Sequence, residues 1–138
     1  MSQFARFCFV AVLALPVTAC GASASNTVDS QGEAFKRISA ADLNSKLAAK
    51  APVFVFDVNG DERYAQGHVP TAKHMKVDEV AVAALPAEKA AMLVFYCAGE
   101  KCNACHHAAE AAVELGYSNV WIMPEGIKGW EAQRLPVE

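Results

Sequence analysis

The sequence predicts an α/β domain with a mainly parallel central sheet flanked by helices, on three observations. The runs Val53-Phe54-Val55-Phe56 and Met92-Leu93-Val94-Phe95-Tyr96 are apolar without alternation, which suits strands covered on both faces by helices. Helical segments lie between such runs, each closed by Gly or Pro. The order strand–helix–strand then repeats along the chain, with no internal repeat of sequence.

The elements follow in order. Arg6 precedes an apolar stretch over 7–15, about as long as a signal-peptide core and too short to span a bilayer. Val17-Thr18-Ala19-Cys20 reads as a lipobox, with Cys20 diacylated after residues 1–19 are removed; Ala22-Ser23-Ala24 offers ordinary cleavage instead. Both readings predict export to the periplasm, and the first predicts a lipid anchor in a bacterial membrane. Residues 20–36, rich in Ser, Ala, Gly and Asn, read as a flexible tether, leaving 37–138 as the single domain. Ser39 caps a helix over 40–50, with Leu43 and Leu47 on one face. A strand over 53–57 ends in Asp57, Asn59-Gly60-Asp61 makes a turn, and a short helix over 61–66 stops at Gly67. A helix over 77–85 is expected before Pro86. The strand 92–96 leads into Cys97, a short polar loop and a helix over 103–115, with Ala108, Ala112 and Leu115 inward and Gly116 after its end. A strand over 120–122 and a helix over 126–133 complete the domain.

Composition narrows the function. With 54% apolar residues the domain builds a core without disulfide staples. The net charge is −3, and no run of Lys or Arg marks a nucleic-acid binder. Membrane attachment would rest on acylation of Cys20, because an acidic body is not drawn to anionic lipid. Of five cysteines, Cys97, Cys102 and Cys105 lie within nine residues of one another. An exported protein stapled by disulfides spreads its cysteines; clustering reads as chemistry.

Cys97 stands where a buried strand ends and a helix is about to begin, the place where open α/β sheets bind ligands. Helix N-terminal amides and a loop kept tight by Gly99 would surround its sulfur, lower its pKa and hold a persulfide or an anion. The plain alternative is an inert cysteine at a strand end.

The segment Val94-Phe95-Tyr96-Cys97-Ala98-Gly99-Glu100-Lys101-Cys102 resembles the active-site loop of rhodanese-like sulfurtransferases. Phe56-Asp57-Val58 with Tyr64-Ala65-Gln66-Gly67-His68-Val69-Pro70 and Ala72 is similar to that family's upstream signature. Leu115 to Val120, Gly126-Ile127 with Trp130, and Leu135-Pro136-Val137 resemble its C-terminal one. The resemblance spans 37–138 and implies a three-layer rhodanese-like fold. It implies that Cys97 takes sulfane sulfur from a small sulfur-containing donor and passes it to a thiol acceptor. Ala98, Gly99, Glu100, Lys101, Cys102 and Asn103 would form the substrate cradle, and no cofactor or metal is implied. Asp57 and Arg63 are candidate supports, from their place at and after the end of the first strand. The chain departs from the family pattern at Asn59, Arg63 and Glu125, and it carries Glu100 and Lys101 where arginines are usual. That balanced pair gives a dianion such as thiosulfate little attraction.

Three alternatives stay open on the residues. Cys102 or Cys105 would act as a resolving thiol toward Cys97. Cys102-Asn103-Ala104-Cys105-His106 is a literal Cys-x-x-Cys-His, so a c-type haem electron carrier is a rival reading. The third is a non-catalytic or thiol-redox module on the same scaffold. Cys102, Cys105, His106 and His107 have metal-ligand chemistry, but adjacent histidines leave a helix in different directions.

Overall fold

The computed structural model describes residues 34–81 and 84–138. The expected signal segment, Cys20 and most of the tether lie outside them. Five parallel strands form one sheet in the order β1-β5-β4-β2-β3. Three of these strands coincide with the apolar runs: β2 is Val53–Asp57, β4 Met92–Tyr96 and β5 Val120–Met123. The other two, β1 (Lys36–Arg37) and β3 (Lys73–His74), are two-residue edges paired to β5 and β2. Phe35 is buried in the core and Lys36 is in the sheet, so the tether expected up to residue 36 gives way to folded structure by Phe35.

Among the described residues four α-helices cover the sheet: α1 (Ala40–Ala48), α2 (Asp61–Ala65), α3 (Ala104–Glu114) and α4 (Gly126–Ala132). Ser39 caps α1 as expected, its Oγ accepting from the Asp42 amide at 3.1 Å. The helix expected over 77–85 is not seen among the described residues of that span. A single 3₁₀ turn, Val77–Glu79, stands at its start, and Val80 already has extended backbone. Val77 and Val80 need only that one turn to pack against the core under α3.

Side-chain alternation divides the interior into two layers. On one face Leu93, Phe95 and Cys97 join Phe56, Ile122 and the α3 residues Cys105, Ala108, Ala109 and Ala112. On the other, Val94 and Tyr96 join Val55, Met123, Leu43 of α1 and Ile127 and Trp130 of α4. Consecutive strand side chains point to opposite faces, so the parity of position 97 directs its sulfur toward α3. Completely burying side chains such as Phe95 or Ile122 contributes roughly 1.5–3 kcal/mol each, which makes β4 the anchor of whatever follows it.

Candidate active site

The loop after β4 is held from below by the start of α4. Ile127 donates its amide to the Cys97 carbonyl at 2.9 Å, and Lys128 donates to the Ala98 carbonyl at 3.2 Å. These are N-terminal helix amides that would otherwise lack partners. Gly126 permits the approach. Its φ is +59°, and a Cβ there would lie 2.4 Å from the Cys97 carbonyl oxygen and 2.5 Å from the Gly99 nitrogen. In a trans peptide the carbonyl and the next N–H point in opposite directions. With the carbonyls of Cys97 and Ala98 turned to α4, the Ala98 and Gly99 amides face away from it. The Ala98 amide favours the ionised form of Cys102. The amides of Gly99, Glu100 and Lys101 donate to no backbone carbonyl among the described residues.

A cleft of about 630 Å³ opens beside this loop, lined by Ala98 to Cys102 and by Glu125, Lys128 and Gly129 of the α4 start. Five of the six expected cradle residues are therefore on its wall; Asn103 is not, and serves as the residue before α3. The α4 contribution escaped the sequence reading. Gly126 stood in the C-terminal signature and Glu125 was noted as a departure, but only the packing of α4 on the loop reveals why they matter. Glu125 also accepts the Ala40 amide at the start of α1 through Oε2, at 3.1 Å. The lining holds two acids, Glu100 and Glu125, and two bases, Lys101 and Lys128, so its formal charge is nil.

Cys97 itself departs from expectation. It is 1% exposed and is not part of the cleft wall. Its Sγ lies 3.2 Å from the Cys102 carbonyl and 3.5 Å from the Cys105 Sγ. The thiol's pKa is raised, not lowered as an amide cradle would have it. The hydrogen bond to Cys105 is the main cause and burial the second. The same bond acts in the opposite sense on Cys105, whose pKa is lowered by the S–H of Cys97. Helical amides at residues 105 and 106 also favour that thiolate. Cys102, half-buried at the cleft, is pushed up by desolvation and by Cys97, while the amides of Ala98 and Ala104 pull the other way. The three thiols thus form one contact cluster, with Cys102 on the cleft side and the 97–105 pair beneath it.

The two candidate supports lie elsewhere. Asp57 is wholly buried. Its carboxylate accepts from the Tyr96 hydroxyl at 2.6 Å and from the amide and side chain of Asn59 at 2.8 and 2.7 Å. It reaches the site only through Tyr96, the residue before Cys97. Arg63 pairs with Glu131 of α4 at 2.6 Å on the surface and touches neither loop nor cleft. Asn59, one of the departures from the family pattern, completes the shell around Asp57. His68 lies with its Nδ1 3.3 Å from the Tyr64 carbonyl.

The haem reading does not fit these residues. Cys105 is buried with its sulfur against Cys97, and His106 sits edge-on to Phe35 with ring centroids 5.6 Å apart. Attaching a porphyrin to Cys105 would require prising α3 from the sheet. Among the described residues, no group of three or more His, Cys, Asp or Glu is arranged to hold a metal ion.

Comparison with known proteins agrees with the motifs. The family model described as "Rhodanese-like domain" matches residues 39–133. A Bacillus subtilis (strain 168) protein named "Putative sulfurtransferase YtwF" is 28% identical over 104 residues, covering 74% of this chain and 96% of that one. The crystal structure of the Bacillus halodurans protein BH2092 superposes with a TM-score of 0.69 at 27% identity, covering 75% of this chain and 76% of that one. The rhodanese-like domain of the Anabaena protein Alr3790 gives a TM-score of 0.64 at 25% identity, covering 74% and 77%. With a family model over most of its length and its cysteine loop at the end of β4, the chain belongs to the rhodanese-like domain family.

Proposed function

We propose that the protein is a sulfurtransferase that carries sulfane sulfur as a persulfide on Cys97 and hands it to a thiophilic acceptor. The observation that carries this reading is the loop. Cys97 heads a turn whose first two carbonyls, those of Cys97 and Ala98, are bonded by α4, while the amides of the next three residues, Gly99 to Lys101, donate to no backbone carbonyl and their residues line the cleft. In the forward step the Cys97 thiolate attacks the outer sulfur of the donor. A sulfur–sulfur bond forms at Cys97, and the donor's own bond to that sulfur breaks with its electron pair leaving on the departing group. An acceptor thiolate then removes the outer sulfur and regenerates the Cys97 thiolate. Such amides suit the anionic perthiolate. The balanced charge of the cleft favours donors recognised through sulfur contact, such as low-molecular-weight persulfides, over dianionic thiosulfate.

The test is intact-mass analysis after exposure of the reduced protein to each donor without oxygen, followed by transfer to cyanide or a thiol. The expected result is an adduct of one sulfur atom on wild type, absent in Cys97→Ala, with turnover lost in the same variant. A Cys97→Ala variant that still turns over would refute the assignment, and a wild type that never loads would leave the scaffold as a non-catalytic module. We further propose that the protein is exported and acylated at Cys20, which intact mass of protein extracted from membranes reads directly.

A further inference from the structure

We propose that Cys105 is a built-in resolving thiol, so that the persulfide on Cys97 is discharged within the chain as hydrogen sulfide, leaving a Cys97–Cys105 disulfide. This rests on the persulfide reading and adds to it the fate of the carried sulfur.

The geometry is particular to this pair. The two Sγ atoms are 3.5 Å apart, in van der Waals contact, and both side chains are 1% exposed. Parity along β4 turns Cys97 toward α3, and the position of Cys105 in the first turn of α3 brings its sulfur to meet it. Because Cys105 fills the space on that side of the Cys97 sulfur, an outer sulfur added there must extend away from Cys105. That is the in-line arrangement for attack on the inner sulfur with the outer one as leaving group. Cys102 is differently placed. It stands on the cleft wall, where an incoming acceptor would meet it first.

The step balances without an outside reagent. The Cys105 sulfur bonds to the Cys97 sulfur as the bond from Cys97 to its outer sulfur breaks. The outer sulfur leaves as hydrosulfide with that electron pair and takes the proton Cys105 gives up. Two cysteine sulfurs are oxidised and one sulfane sulfur is reduced. A dithiol reductant then returns both cysteines to thiols through a mixed disulfide and is itself oxidised.

The experiment is a single turnover of the full chain, reduced, freed of reductant and kept anaerobic, with excess thiosulfate as donor. Thiosulfate is chosen because its by-product, sulfite, is not a thiol and releases no sulfide from a persulfide. Wild type should release one sulfide per chain and lose two hydrogens, and peptide fragmentation should place the link at Cys105 and not Cys102. Cys105→Ala, with Cys105→Ser as the variant closest in size, should stop at the sulfur adduct on Cys97 and release no sulfide. Wild-type sulfide release from either variant, or a link mapped to Cys102, would overturn the proposal while leaving the persulfide reading standing. Absence of any sulfur adduct on wild type, with thiosulfate and with a low-molecular-weight persulfide alike, would instead remove the persulfide reading on which it rests.

Discussion

Replacing Gly126 by alanine tests the claim that α4 fixes the cysteine loop by backbone contact. Two costs add. A non-glycine residue in the left-handed region costs about 1–2 kcal/mol. The new Cβ also cannot share space with the Cys97 carbonyl oxygen at 2.4 Å and the Gly99 nitrogen at 2.5 Å. Those are backbone atoms and cannot rotate aside, so the loop and α4 must separate. The bonds from Ile127 to Cys97 and from Lys128 to Ala98 are then lost or stretched, at about 1 kcal/mol each. The expected loss is about 3–4 kcal/mol in urea unfolding, a large part of a stability of roughly 5–15 kcal/mol. Gly116 supplies the control. It too has positive φ, +88°, but a Cβ there meets nothing within 4 Å, so Gly116→Ala pays only the backbone cost. The difference between the two variants, about 2 kcal/mol, is the loop's share. Equal destabilisation of the two, or a Gly126→Ala protein that loads sulfur at the wild-type rate, would refute the reasoning.

Three other outcomes are expected. Asp57→Asn should destabilise by about 2 kcal/mol in the same assay, because an amide nitrogen would face one of the three donors now satisfied by the carboxylate; a change within ~0.5 kcal/mol would remove Asp57 from its holding role. Stability should fall in alkali. Cys97 and Tyr96 are both held above their ordinary values of 9.0 and 10.0, chiefly by the Cys105 hydrogen bond for the first and by burial for the second. The folded chain keeps protons that the unfolded chain releases, so their contribution is whole below pH 9 and is lost above it, by up to about 1.4 kcal/mol per pH unit for each group. Cys105, lowered, acts in the opposite sense, and its contribution is complete by pH 9. Cys97→Ser should therefore flatten the decline between pH 9 and 10, and an unchanged slope under reducing conditions would contradict the thiol pairing. Finally, iodoacetamide should label Cys102 first, at least about tenfold faster than the buried pair, as read by peptide mapping; equal labelling of all three would mean the pair is not covered.

The sequence makes the domain's centre legible and its margins not. β2, β4 and β5 are apolar because helices cover both their faces, and that composition is visible in the chain. β1 and β3 have two residues each, carry no period, and exist only because β5 and β2 offer them an edge. The stretch after Lys76 has helical spacing, yet Val77 and Val80 pack against the core with a single 3₁₀ turn. Arg63 looked like a support because it follows β2 closely in sequence, but a helical turn sends it to the surface beside Glu131. Cys97 was found from its position after a buried strand. The direction of its sulfur needs one more fact, which helix covers the odd-numbered side chains of β4, and that is set by tertiary packing.

The same parity explains why the thiol is raised and why the cleft lies off to one side. A strand can send residue 97 toward α3 or toward α4, not both. Here the peptide carbonyls at 97 and 98 go to α4 and the sulfur goes to α3, so the loop separates a shallow, charge-balanced cleft from a dry pair of thiols. Electrostatic attraction at the cleft wall then contributes little to choosing a donor, since Glu100 and Glu125 offset Lys101 and Lys128. What the cleft wall offers instead is short-range contact, from the backbone of Gly99 to Lys101 and from the half-buried Cys102. A cysteine held as a thiol by its neighbour is a poor nucleophile at rest, and the contact that does this to Cys97 is the one with Cys105.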